Sequence, residues 1–176
     1  MEQTIISEVW RSIDSFPNYQ VSNVGRVRNA TTGKILKQTA GSSGYNKVSL
    51  YNVRGFKSIA VHILVVHEFL ARPPADEGGR LEVDHINRCK TDNQVCNLRY
   101  VSHGQNMMNR RKQTRRATSS QYKGVSWCKP MKKWKGAIKH EGRHIYLGCF
   151  ACEVDAALAY DLKAEELFGE HANLNF

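Results

Sequence analysis

No window of this 176-residue chain reaches the ~18 consecutive apolar residues of a membrane-spanning helix. The longest apolar run, Ile59 to Val66, is interrupted by His62 and is core-sized. The start, Met1-Glu2-Gln3-Thr4, lacks the basic flank and apolar stretch of a signal peptide. Five cysteines are an odd number for a disulfide framework, so reduced thiols in a cytoplasm are the expectation. Acid is scarce in one region above all: from Arg110 to Arg143 there is one acid, Glu141, against twelve Lys/Arg. The whole chain carries 26 Lys/Arg and 16 Asp/Glu, a net charge of +10. That balance points to a polyanionic partner and is silent about fold. The charge alone would also admit an RNA-binding protein.

What is present divides the chain into stretches of different texture. Residues 8–60 alternate short β-prone runs with turns at Asn23-Val24-Gly25, Thr32-Gly33 and Ala40 to Gly44, which predicts antiparallel hairpins. Val61 to Leu70 has apolar residues at 61, 65, 66, 69 and 70, a buried-helix pattern ending before Pro73-Pro74. After a Glu77–Arg80 turn, Leu81-Glu82-Val83 reads as a short strand leading into Asp84-His85, and Leu98 to Val101 as its return. Ser102 is a suitable N-cap for a helix carrying Asn106 and Asn109. Arg110 to Ser120 has no apolar period and reads as a basic linker that spans at most about 36–40 Å when extended. Tyr122–Cys128, Trp134–His140 and His144–Phe150 are β-prone, and Glu153 to Phe168 is helical with Ala157, Tyr160, Ala164 and Phe168 on one face.

The chemistry sits in Asp84-His85, Asn97-Leu98 and Asn106, all within 23 residues. Hydrolysing a phosphodiester with one cation needs oxygen ligands, open coordination positions and a base for water. Asp84 offers a charged oxygen at a strand end, and Asn106 a neutral carbonyl oxygen on the next helix. His85 would point to the other side of an extended strand from Asp84, free to work on water. Asn97 has donors and acceptors to tie the loop near His85. Other residues have plainer readings: His62 and His67 as structural histidines, His103 as a solvated helix residue, and Cys149-Phe150-Ala151-Cys152 as free thiols rather than a zinc site. Trp127, Trp134 and Tyr146 suit either base stacking or packing under the helix.

Asp84-His85, Asn97-Leu98 and Asn106 resemble the HNH nuclease motif, and the Asn at 106 is similar to that of the phage and intron-encoded homing endonucleases. Glu8-Val9-Trp10-Arg11 with Tyr19 to Val27 resembles the nuclease-associated modular motif. Tyr122-Lys123-Gly124-Val125, Trp134, Ile138, Tyr146-Leu147-Gly148, Ala156-Ala157, Ala159-Tyr160-Asp161 and Asn173 to Phe176 resemble the ethylene-response-factor (AP-two) DNA-binding domain. There Ser126, Lys139 and His144 stand where Arg is usual, so no target sequence carries over.

The resemblance implies an α+β chain. Its parts are N-terminal β-hairpins over 1–60, a ββα-metal HNH nuclease core over 61–112, a basic linker over 113–120, and a separate three-stranded antiparallel sheet with one packed helix over 121–176. It implies site-specific, metal-dependent hydrolysis of one strand of double-stranded DNA. The catalytic residues would be His85 and Asn97, and the metal ligands Asp84 and Asn106, with one Mg²⁺ that Mn²⁺ can replace. Expected DNA contacts are Arg26, Arg28, Arg110, Arg111, Lys112, Arg115, Arg116, Lys123, Lys135, Lys139, Arg143 and His144. A monomer in the cytoplasm of a phage-infected bacterium is expected, with no membrane partner. The alternative is a DNA-binding regulator whose HNH unit is inactive.

Overall fold

The structure, a computed structural model, describes residues 7–74, 80–112 and 118–176. The chain divides into two compact units, Met1–His103 and Gly104–Phe176. Among the described residues the fold is α+β, with small antiparallel sheets and three α-helices. None of these helices is long and apolar enough to cross a membrane.

In the first unit, strands β1 (Trp10–Ile13), β2 (Phe16–Ser22) and β3 (Val27–Asn29) form one sheet in sequence order. Strands β4 (Thr39–Ala40), β5 (Asn46–Asn52) and β6 (Gly55–Ala60) form another. Alternation sets which face is buried: Val48 and Leu50 of β5 point inward while Ser49 and Tyr51 are exposed. Helix α1 (Val61–Phe69) follows at once, and the next hairpin pairs β7 (Glu82–His85) with β8 (Leu98–Val101). One core joins these parts, with Val21, Val27, Val48, Leu50, Val61, Val65, Val66 and Leu98 all buried together. The hairpins and the segment carrying Asp84-His85 therefore share a single hydrophobic interior. Each fully buried Val or Leu contributes about 1.5–3 kcal/mol, so the two stretches stabilise one another.

Helix α2 (His103–Asn109) follows β8, and its residues from Gly104 onward fall in the second unit. There β9 (Val125–Cys128), β10 (Lys133–His140) and β11 (Arg143–Phe150) form a sheet with β10 in the middle. The β10–β11 turn is Glu141-Gly142, both at positive φ (47° and 78°), the two-residue geometry that matches strand twist. Helix α3 (Glu153–Phe168) lays Ala156, Ala157, Tyr160, Ala164 and Phe168 on the sheet, against Val125 and Ile138. The small alanines allow the close approach.

The run from Tyr122 becomes a strand only at Val125, because Gly124 turns at φ +76° to lie against the Tyr160 ring. Burial, and then the charge of Asp161, push the Tyr160 hydroxyl up to about 12. Asp161 holds the chain end: its carboxylate accepts from Asn175 N at 2.8 Å and Phe176 N at 3.1 Å. Asn175 Oδ1 in turn accepts from Lys123 N at 2.7 Å.

Cys152 is the N-cap of α3, and its side chain makes no capping hydrogen bond. A serine there would satisfy one of the helix's open N–H groups. Cys152→Ser is expected to raise stability by about 1 kcal/mol in a urea melt, and no gain would mean that those N–H groups are already satisfied.

Candidate active site

Asp84 and His85 are consecutive residues of β7, so their side chains leave opposite faces, and both are buried. On one face the Asp84 carboxylate accepts from Arg99 Nε at 3.1 Å, Arg99 being its direct partner on β8. On the other face the His85 ring enters an aromatic pocket: its centroid lies 5.1 Å from that of His62 and 5.7 Å from that of Tyr45. His85 Nε2 meets Asn93 Oδ1 at 3.1 Å, and Asn93 is only 3% exposed.

The loop between β7 and β8 is tied from within by Asn97. Its Oδ1 accepts from Asn87 N at 2.9 Å and its Nδ2 donates to the Asp92 carbonyl at 2.8 Å. The main chain adds Ile86 N to Asn97 O at 2.9 Å. Asn106 is half-buried on α2, in the second unit. His103 Nδ1 pairs with Glu82 Oε1 at 2.9 Å on the surface.

His62 is more than filler. Its Nδ1 is buried without a hydrogen-bond partner among the described residues, and burial, then the charge of His85, lower its pKa from 6.5 to about 4. A neutral His62 presents an uncharged wall to His85 near pH 7. Stability from keeping it neutral is fully present above pH 6.5 and is lost as pH falls from there toward about 4, where the unfolded chain takes up the proton first. The loss is on the order of 3 kcal/mol. His62→Phe is expected to flatten the fall in urea stability across that window; an unchanged slope would place the cause elsewhere.

The basic residues fall into separate groups. Arg26 and Arg28 gather at Trp10, with the Arg28 guanidinium 4.1 Å from the ring centroid. Arg26 also pairs with Glu8, and Arg28 Nε donates to Gln20 Oε1 at 2.9 Å. Two lysines are turned onto backbone carbonyls instead: Lys112 Nζ donates to Tyr122 O at 2.6 Å, and Lys123 Nζ to Met108 O at 2.6 Å. Burial holds the Lys112 ammonium below the usual lysine range.

Lys135, Lys139 and His144 are exposed on the sheet face opposite α3, together with Tyr146, and Arg143 is exposed at the start of β11. Trp134 instead packs with Val125 and Ala156, and Trp127 meets it edge-on at 5.0 Å. The aromatic residues are thus divided between the two faces. Arg110 and Arg111 are exposed, and Arg115 and Arg116 lie outside the described residues. All five cysteines are free thiols.

Three residues of the site had no motif to announce them: Tyr45, Asn93 and Arg99. The alternation of β8 could have placed Arg99 beside Asp84, since directly opposed residues share a face. Tyr45 and Asn93 reach His85 from loops, where no periodicity applies.

Residues 8–51 match the NUMOD4 motif and residues 60–108 match the HNH endonuclease family. The chain is similar to the DNA endonuclease I-HmuI of Bacillus phage SP01, with 36% identity over 101 residues covering 57% of this chain and 56% of that one. It is also similar to the H-N-H endonuclease F-TflII of Escherichia phage T5, with 33% identity over 91 residues, 52% of this chain and 46% of that one. The solved structure of the HNH homing endonuclease I-HmuI matches with a TM-score of 0.50 and 35% identity over 57% of this chain and 56% of that one. The chain thus spans about half the length of these phage relatives.

The ethylene-response-factor resemblance rests on a 61-residue match, 39% identical, to an AP2-like ethylene-responsive transcription factor of Arabidopsis thaliana. It covers 35% of this chain and 13% of that one. The β7–β8 hairpin with its buried Asp84-His85 pair thus lies in the stretch that matches the HNH endonuclease family, residues 60–108, and follows the stretch that matches the NUMOD4 motif, residues 8–51.

Proposed function

We propose that the chain is a site-specific, homing-type HNH endonuclease that hydrolyses one phosphodiester of double-stranded DNA per site. The observation that carries this reading is the placement of His85. It is a buried imidazole next in sequence to a buried carboxylate on the opposite strand face, with one ring nitrogen engaged by Asn93 and the ring packed on a neutral histidine. Such a ring has little freedom, as a general base needs. His85 takes a proton from water, which attacks the phosphorus in line.

Asp84 and Asn106 are the residues that would hold a divalent ion. Their chemistry fits: a carboxylate and an amide are hard oxygen donors, the set on which Mg²⁺ relies while keeping several waters. Among the described residues no three His, Cys, Asp or Glu side chains converge, so the donor set is unlike a zinc site. The ion, Mg²⁺ with Mn²⁺ as a substitute, would supply stabilisation of the charge building on the phosphate and on the departing 3′-oxygen. Arg99 fixes the orientation of the Asp84 carboxylate. The products would carry a 3′-hydroxyl and a 5′-phosphate.

DNA binding falls to the exposed cations. Lys135, Lys139 and His144 form a basic sheet face beside Tyr146, and Arg110, Arg111 and Arg143 are further exposed cations of the same unit. Lys112 and Lys123, bonded to carbonyls, contribute less than charge counting suggests. Because phosphate contacts release counterions, affinity should fall steeply between 50 and 200 mM salt, by about 10³-fold or more if six or more phosphates are contacted.

The test uses supercoiled plasmids carrying phage genomic fragments. Wild type should nick in Mg²⁺, EDTA should stop nicking, and Asn106→Ala should cut the rate sharply. Nicking that survives unchanged in Asn106→Ala would remove that ligand assignment. Binding without nicking by wild type would instead favour the non-catalytic regulator.

A further inference from the structure

We infer that the Asn23–Gly25 turn of the N-terminal motif belongs to the catalytic apparatus, acting through Asn93, which holds His85 in the tautomer that leaves Nδ1 as the proton acceptor. The inference rests on the reading of His85 as the general base and adds to it a positioning residue and a support for that residue.

The geometry starts at the imidazole. A side-chain carbonyl such as Asn93 Oδ1 only accepts, so the 3.1 Å contact puts the proton on His85 Nε2. The neutral ring then has its lone pair on Nδ1. Both partners are nearly without solvent exposure, His85 at 4% and Asn93 at 3%, so water does not readily replace this bond.

Asn93 is held in turn from the far side of the unit. Gly25, at φ +81°, lies so close that a Cβ built on it would be 2.7 Å from Asn93 Cβ and 2.9 Å from Asn93 O. Only glycine permits both that backbone conformation and that approach. Two residues further along the loop, Val95 N donates to Asn23 O at 2.8 Å. The turn itself is braced: Gly25 N donates to Ser22 O at 3.0 Å, Gln38 Nε2 to Gly25 O at 2.7 Å, and Val9 N to Asn23 Oδ1 at 2.8 Å.

Asn97 therefore ties the β7–β8 loop from within, while the turn presses it from outside at the residue that touches His85. A motif whose arginines suggest a purely DNA-binding role thus also sets the position of the base. None of this contact needs DNA, so it is present in the free protein.

Two readouts test the inference. The first needs no activity: in the 176-residue chain with ¹⁵N-labelled histidine, long-range ¹H–¹⁵N correlation spectra show which ring nitrogen of His85 carries the proton. Wild type should show Nε2–H alone, and Asn93→Ala a mixture or the other tautomer. Nδ1–H in wild type overturns the inference, whether or not the protein cleaves DNA.

The second is kinetic, on the supercoiled plasmid substrate. Asn93→Ala should lower kcat about 10–100-fold with KM and DNA affinity unchanged, the usual size of such supporting contacts. Asn93→Asp, which keeps an acceptor oxygen in place, should recover most of the rate. Gly25→Ala should lower kcat in the same way, and should cost nothing more when added to Asn93→Ala. If Gly25→Ala does not fold, the Asn93 pair decides alone. Full kcat in Asn93→Ala, or a Gly25→Ala variant that loses only DNA affinity, contradicts the inference. Wild type that binds but never nicks would sink the endonuclease reading, while the tautomer measurement still judges the geometry.

Discussion

Replacing His85 with alanine is expected to lower the nicking rate about 10²–10⁴-fold, the usual contribution of a positioned general base. DNA affinity should change little, because His85 is 4% exposed and offers almost no surface to a ligand. The ring also packs on His62 and Tyr45, so its removal opens a space in the unit. A urea melt of the variant separates that structural cost from the chemical one. His85→Gln, which fills more of the space but is a far poorer base, should be as inactive as the alanine and more stable. A His85→Ala protein that nicks at the wild-type rate would show that another group activates the water.

The second large effect is structural. Gly124→Ala places a Cβ 1.9 Å from Tyr160 Cδ2 and 2.5 Å from Cε2, with the backbone at φ +76°. Tyr160 cannot yield easily, being 4% exposed and packed with Ile138, Ala164 and Phe168. Overpacking and the strained backbone together should cost about 3 kcal/mol or more. Trp127 and Trp134 both lie in this sheet, so intrinsic fluorescence follows its unfolding. The transition should move to clearly lower urea, and salt-dependent DNA binding should weaken with it. An unshifted transition would mean that Tyr160 has a second place to go.

Where a residue's environment is local, the sequence disclosed it. Helix α3 spans Glu153–Phe168, as its apolar spacing suggests, because one face of it is buried throughout. Asp84 and His85 diverge because successive residues of a strand point to opposite faces. Contacts between distant loops were not legible. Asn93 is one polar residue among several in its loop, and what selects it is its fit between His85 and a glycine of the first sheet's turn.

Charge was a partial guide. Lys112 and Lys123 belong to the basic stretch by count, yet their ammonium groups sit on carbonyls around the Tyr122–Val125 turn and at Met108. Nothing in a charge run says which lysine will find a backbone acceptor. The aromatic residues divided for a similar reason: cross-strand register pairs Trp134 with Trp127, next to the core, and Tyr146 with Ala137 on the lysine face.

Hydrolysis of one strand of duplex DNA by this chain, as proposed, is tested most directly by incubating the wild-type protein with phage genomic DNA and Mg²⁺, then determining the position and end chemistry of every break. A nick at a defined site on one strand, ending in a 3′-hydroxyl and a 5′-phosphate, is expected, and it should disappear with His85→Ala. Duplex binding with no break at any site, in either Mg²⁺ or Mn²⁺, would contradict the proposal.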